Sequence, residues 1–192
     1  MNLSMLHKPN AAARLAMLGL FLGGPRASAT TLMHMTVTQM AQAAQVIVRA
    51  RCIASSTSWD AGEIWTFTDF DVQETWRGPA TSRITVRLLG GKTGNVTSTV
   101  SGVPSFHAGE DVILFLERTR AGDFSVVSWQ QGTFRIRRDR FSGEETITQD
   151  SASFPIFDPG SRQFQTSGIR NLPVNSFREQ VDTALLTGGR SR

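Results

Sequence analysis

The run Val112-Ile113-Leu114-Phe115-Leu116, entered through Asp111, is apolar at every position. A β-strand sends alternate side chains to opposite faces, so a strand of this composition needs cover on both. A simple two-sided sheet in water cannot supply that. Something must close over each face, and the rest of the sequence indicates what.

Around this run, Val46 to about Gln149 reads as a series of short strands: VIVRARCIAS, IWTFTDFDVQETW, RITVRLL, a weaker VTSTV, FSVVSWQQ, TFRIRR and ETITQ. Turn signals part them at Asp60-Ala61-Gly62, Arg77-Gly78-Pro79, Gly90-Gly91, Ala108-Gly109, Ala121-Gly122-Asp123 and Ser142-Gly143. Short strands at this spacing indicate a barrel or a sandwich rather than an alternating α/β fold. In the first run Val46, Val48, Ala50 and Cys52 alternate with Ile47, Arg49, Arg51 and Ile53, which makes Cys52 a buried, inert thiol. In the second, Ile64, Thr66, Thr68, Phe70, Val72 and Trp76 share one face, and Asp69, Asp71 and Gln73 the other. In the third, Ile84, Val86 and Leu88 turn in while Arg83, Thr85 and Arg87 turn out.

Two helices are the natural cover for the doubly apolar strand. Thr36 to about Gln45 opens with a capping box, Thr36 and Gln39, and carries an apolar stripe of Met40, Ala43 and Ala44. Ser176 to about Leu186 repeats the pattern with Ser176 and Glu179, and with Phe177, Val181, Ala184 and Leu185 on one side. Between the last strand and this helix, residues 150–173 read as an extended linker laying Phe154, Ile156, Phe157 and Phe164 along the sheet.

The ends and the charge belong to one argument. The 192 residues carry 20 basic and 16 acidic side chains, a net +4 and a sequence pI near 10.5. Of the basic residues 18 are Arg and 2 are Lys, and Arg stays charged at any ordinary pH, so the pI overstates the basic excess. Residues 1–29 have the layout of an export signal: Lys8 and Arg14, then the apolar stretch Leu15 to Gly24, then Ala27-Ser28-Ala29 as a cleavage site. That stretch is too short for a membrane span, and no later segment is longer. Removal of the signal leaves 17 basic against 16 acidic residues. The chain is therefore expected to be periplasmic or secreted, with one domain over 30–149 and a linker and helix over 150–192.

Several motifs invite a chemical reading. Gly91-Lys92-Thr93 imitates the end of a phosphate loop, but Val86 stands where that loop needs glycine and a strand follows. Met33, His34 and Met35 offer thioethers and an imidazole to Cu(I), though their alternation fits strand packing better. Arg135, Arg137, Arg138 and Arg140 are offset by Asp139, Glu144 and Glu145, giving a salt-bridged surface rather than a nucleic-acid site. Asp69 and Asp71 have the spacing of paired carboxylates, but opposing arginines, Arg83 and Arg87, account for them as well. With no nucleophile–base pair and no zinc-ligand set, the sequence reads as non-catalytic and cofactor-free.

One ordered set of pieces resembles a group of uncharacterised exported bacterial proteins. It comprises Trp59-Asp60-x-Gly62, Arg77-Gly78-Pro79, Gly90-Gly91, Ser101-Gly102-x-Pro104-x-Phe106 with Gly109-Glu110, and Gln131-Gly132-x-Phe134-x-Ile136. The resemblance implies an OB-like, partly open Greek-key barrel, similar in fold to the tissue inhibitors of metalloproteinases and netrin-type modules. Those inhibitors bind the protease zinc through an N-terminal cysteine, which a chain beginning at Thr30 lacks. The expected role is binding of another extracytoplasmic protein or a cell-envelope polymer through the loop rim: Trp59, Asp60, Trp65, Lys92, Phe106 and His107. A protease-accessory role and an Asp69/Asp71 hydrolase are the other readings.

Overall fold

The computed structural model describes residues 32–188, so the stretch expected to be an export signal, residues 1–29, lies outside the described residues. The chain runs α1 (Val37–Ala43), β1 (Val46–Asp60), β2 (Glu63–Arg77), β3 (Arg83–Leu89), β4 (Gly91–Thr93), β5 (Val96–Ser98), β6 (Asp111–Arg118), β7 (Phe124–Val126), β8 (Thr133–Arg138) and β9 (Glu145–Gln149). It closes with β10 (Pro155–Asp158), β11 (Gln163–Thr166), β12 (Leu172–Pro173) and α2 (Val174–Gly188). The main sheet has the order β1-β2-β3-β7-β6-β8-β9-β12, and β1 also pairs with β6. That extra pairing bends five strands into a ring, β1-β2-β3-β7-β6. Only one bridge, the parallel pair Val86 and Phe124, joins β3 to β7. The ring is barrel-like but not closed, and its crossed, partly open order is the one expected for an OB-like barrel rather than two stacked sheets.

The apolar strand is β6, and both its faces are covered. Val112, Leu114 and Leu116 point into the ring with Val46, Val48, Ala50, Phe70, Val86 and Val126. Ile113 and Phe115 point outward into a second cluster built from α1 and α2 through Met40, Ala41, Ala44, Phe177, Val181 and Ala184. Phe115, Phe134 and Phe177 meet there, with ring centroids 5.4 Å and 4.5 Å apart along the chain of contacts. Cys52 is buried inside the ring, and burial, first of all, pushes its thiol pKa up.

Local chemistry explains the elements and where they depart from expectation. Thr36 caps α1, accepting from the Gln39 backbone N–H while the Gln39 side chain accepts from Thr36 N–H. Ala41, not Ala43, completes its buried stripe. The second helix begins at Val174, so Ser176 lies inside it rather than at its cap. Trp76 leaves the inward set, because β-bulges opposite Ile47/Val48 and Arg49/Ala50 shift the phase of β1 against β2. It packs instead on Phe177, 6.2 Å away, with the Arg178 guanidinium beside it. The FSVVSWQQ strand stops at Val126 and becomes a 3-10 turn over Trp129–Gly132. The segment 150–173 is no linker. It holds a 3-10 turn over Asp150–Ser153, the β10–β11 hairpin and β12; Ile156 is buried, while Phe154 and Phe164 stay exposed.

No helix among the described residues is long and apolar enough to cross a membrane. Removing the Phe177 ring opens a cavity between α2 and the sheet, so Phe177→Ala should cost about 3–5 kcal/mol in urea unfolding. Leu186→Ala, at an exposed position of the same helix, should leave the midpoint within about 0.5 kcal/mol of the original.

Candidate binding surface

The long β1–β2 hairpin is the first element of the surface. Ala61 and Gly62 both have positive φ, 51° and 85°, which is the two-residue turn whose twist matches an antiparallel pair. β6 follows β1 only as far as Arg51, where its own first residue, Asp111, sits opposite. A bulge between Cys52 and Ala54 then turns β1 away, and from Ala54 to Asp60 it pairs with β2 alone. In a hairpin of this kind the closing pair, Asp60 and Glu63, exchanges hydrogen bonds and alternate pairs follow suit. The N–H and C=O groups of Ser55, Thr57 and Trp59 therefore face the open edge. Trp59 is 54% exposed there.

Asp60 and Trp65 lie on the outer wall of the same hairpin and are held by an arginine from β3. The Arg87 guanidinium stacks on the Trp65 indole, 3.9 Å from its centroid, and binds the Asp60 carboxylate. Asp123 stands 3.9 Å from the other side of Arg87. The register explains the clasp: Arg87 is opposite Phe67, two residues from Trp65 on the same face. The Trp65 indole N–H and Arg87 Nε find no acceptor among the described residues. Of the two acids beside them, Asp69 accepts from Thr85 Oγ at 2.6 Å and Asp71 sits in register with Arg83.

Lys92 belongs to the glycine loop, which lies over the inner face of the hairpin. Thr57 Oγ donates to the Lys92 carbonyl at 2.6 Å, leaving the ammonium in solvent. A Cβ on Gly91 would come within 2.6 Å of Thr66 Oγ1 and 2.7 Å of Thr57 Cγ2, so the close approach requires glycine. Beneath this loop is a cleft of about 200 Å³ lined by Ser55, Thr66, Thr68, Leu88, Val103 and Phe106.

Phe106 is 8% exposed and fills the ring's mouth, edge-on to Phe70 at 5.0 Å. It is a plug rather than an exposed anchor. His107, by contrast, keeps 80% of its side chain exposed. Its backbone N–H donates to Glu110 at 3.0 Å, and Nδ1 lies 3.2 Å from the same carboxylate. Arg135 completes the loop, binding Glu110, Asp150 and the Ser105 carbonyl while its guanidinium sits 5.0 Å from the Phe106 ring centre. Burial on its own would raise the Glu110 pKa. The His107 amide and Arg135 outweigh it and hold the carboxyl below its ordinary value.

The possible metal ligands are used differently. Met35 packs against the helical cluster while Met33 is exposed. The segment is pinned by Gln131, which accepts from Met35 N–H at 2.8 Å and donates to the Met33 carbonyl at 2.7 Å. Among the described residues no group of three His, Cys, Asp or Glu could hold a metal ion.

The structure thus puts Trp59, Asp60 and Trp65 on one hairpin, Lys92 on the glycine loop over that hairpin's inner face, and Phe106 and His107 on the loop at the mouth. Arg87 and Arg135 organise both regions. The sequence marks them only as alternating or clustered arginines, and nothing local in it reveals their distant carboxylates. Arg135→Ala strands Glu110 and Asp150 and should lower stability by about 2–3 kcal/mol. A carboxyl held below its ordinary pKa stabilises the fold above the glutamate range and ceases to as pH falls through its folded value. Urea unfolding across an acid series should therefore show a shallower loss of stability in Glu110→Gln than in the unaltered protein. A scan against protein-family models finds no match, and a search of curated proteins finds no significant relative.

Proposed function

We propose that this chain is an exported, non-catalytic binding module that recognises another extracytoplasmic protein or a cell-envelope polymer through the β1–β2 hairpin. The observation that carries the proposal is the open edge of β1. Ser55, Thr57 and Trp59 aim outward backbone groups that find no partner among the described residues, beside an exposed indole and with no charge from Ile53 to Trp59. Such an edge offers main-chain hydrogen bonds to an extended partner, and the indole supplies a large anchor. Nearby, Arg87 stiffens the hairpin by clamping Asp60 and Trp65, so little order would need to be gained on binding. Zinc capture by the only cysteine is not part of this reading, since Cys52 is buried inside the ring.

Thr57→Pro removes an N–H that faces the open edge and not β2, and Thr57→Val, which keeps that N–H and loses only the hydroxyl bond to the Lys92 carbonyl, is its control and should capture the partner undiminished. Captured from an envelope fraction with the tagged protein, the partner should be lost in Thr57→Pro and retained about tenfold less tightly in Trp59→Ala. The unfolding midpoint of Trp59→Ala should stay close to that of the unaltered protein, and Thr57→Pro and Thr57→Val should share a loss of about 1 kcal/mol from the missing hydroxyl bond. Undiminished capture by both variants would remove the hairpin from the function.

A further inference from the structure

The one-bridge junction between β3 and β7 leaves a cleft of about 230 Å³ at the end of the ring away from the glycine loop. Its floor is apolar, formed by Val46, Ile84 and Phe124, with Pro79 of the β2–β3 turn as a wall. Two arginines stand over it. Arg118 lies across Phe124, its guanidinium 4.7 Å from the ring centre, and Arg83 is exposed on β3. Neither has a carboxylate within ion-pair distance among the described residues, whereas Arg49, Arg51, Arg87, Arg135, Arg138 and Arg178 all do. The acid lining the cleft, Asp123, is turned toward Arg87. Asp71, opposite Arg83 in register, makes no ion pair with it.

The backbone adds two donors. Val72 N–H donates to the Ser82 carbonyl, which fixes Ser82, Ile84, Val86 and Leu88 as the residues of β3 that bond β2. Arg83 and Thr85 therefore direct their N–H groups to the β7 side, at the level of the cleft. The Arg83 carbonyl is already satisfied by Thr81 Oγ at 2.9 Å, and the Thr85 hydroxyl donates to Asp69. Arg118 Nη1 donates to the Gly122 carbonyl at 3.5 Å, so what remains around an apolar floor, among the described residues, is two cations without a carboxylate and two amide donors without an acceptor.

We propose that this seam binds the free C-terminal carboxylate of an extended peptide whose last side chain is apolar and enters the cleft. Two guanidinium groups and outward amides suit a carboxylate, and the unpaired stretch of β3 suits an extended main chain. The volume fits one aliphatic or aromatic side chain but is small for a long acyl chain.

Fluorescence anisotropy with a labelled heptapeptide ending Thr-Val-Leu tests it on the purified protein. The free acid should bind, and the C-terminal amide of the same sequence should bind at least about tenfold more weakly. Arg83→Ala and Arg118→Ala should each weaken the acid by about tenfold, and raised salt should weaken it further. Arg120→Ala, which alters net charge in the same loop without lining the cleft, should change little. Equal binding of acid and amide, no binding at millimolar peptide, or indifference to both arginine changes would overturn the proposal. Octanoate competing as well as the peptide would also overturn it, in favour of an acyl carboxylate.

Discussion

The double burial of β6 is the constraint on which the other elements depend. Val112, Leu114 and Leu116 need one apolar neighbourhood, and Ile113 and Phe115 need another on the opposite side. Curling the sheet satisfies the first, since a ring of strands surrounds its own inward side chains. Two amphipathic helices satisfy the second, and they come from opposite ends of the described chain. The chain therefore has two cores sharing one strand. β1 shares that role for its first residues, with Val46 and Val48 inside and Ile47 outside.

The same constraint shapes the surface. β6 is shorter than β1, so its strand pairing runs out at Arg51; Cys52 still bonds Glu110 and Gly109, and from Ala54 onward β1 has, among the described residues, a neighbour strand on one side only. An edge of this kind is a liability unless it is charged, bulged or kept short. Here a bulge marks where the ring ends, but Ala54 to Trp59 carry neither charge nor proline. On the other side of the ring, β3 and β7 meet at one bridge, and among the described residues Arg83 and the Thr85 N–H are left without a partner strand. Both open stretches arise from strands of unequal length in one ring, at places where the core no longer demands pairing.

Most of the architecture can be read in the sequence because it is local or periodic. The alternation in VIVRARC assigns the faces of β1, and the capping pair Thr36–Gln39 announces α1. What the sequence hides depends on distant partners. Trp76 has the parity of an inward residue, and two bulges move it to the helical core. Phe106 looks like an exposed loop aromatic, yet Phe70 and Arg135 draw it into the mouth. Residues 150–173 have linker composition, yet they form a hairpin in which Phe157 and Phe164 are cross-strand partners and meet edge-on, 5.5 Å apart. Of the expected rim, Trp59, Asp60, Lys92 and His107 are found at the surface, and Asp60 and the half-buried Trp65 are held by an arginine more than twenty residues away in sequence.

The arginines show how little net charge reveals about a surface. Arg49 joins β1 to Glu145 of β9 and to Glu74 of β2, and Arg178 of α2 binds Glu74 in turn. Arg87 and Arg135 each combine carboxylates with an aromatic face, using a planar cation that can stack and form hydrogen bonds at once. Lysine could supply the charge at these positions but not the stacking geometry, which gives a structural reason for the strong preference for Arg over Lys. A cation already matched by carboxylates attracts an anionic partner only weakly, because binding would first have to break the existing pairs. Arg83 and Arg118 are different: among the described residues neither meets a carboxylate, and both stand at a gap in the ring. The physical signal for a ligand is thus the local mismatch at that gap, and it would be the same if the chain as a whole were neutral.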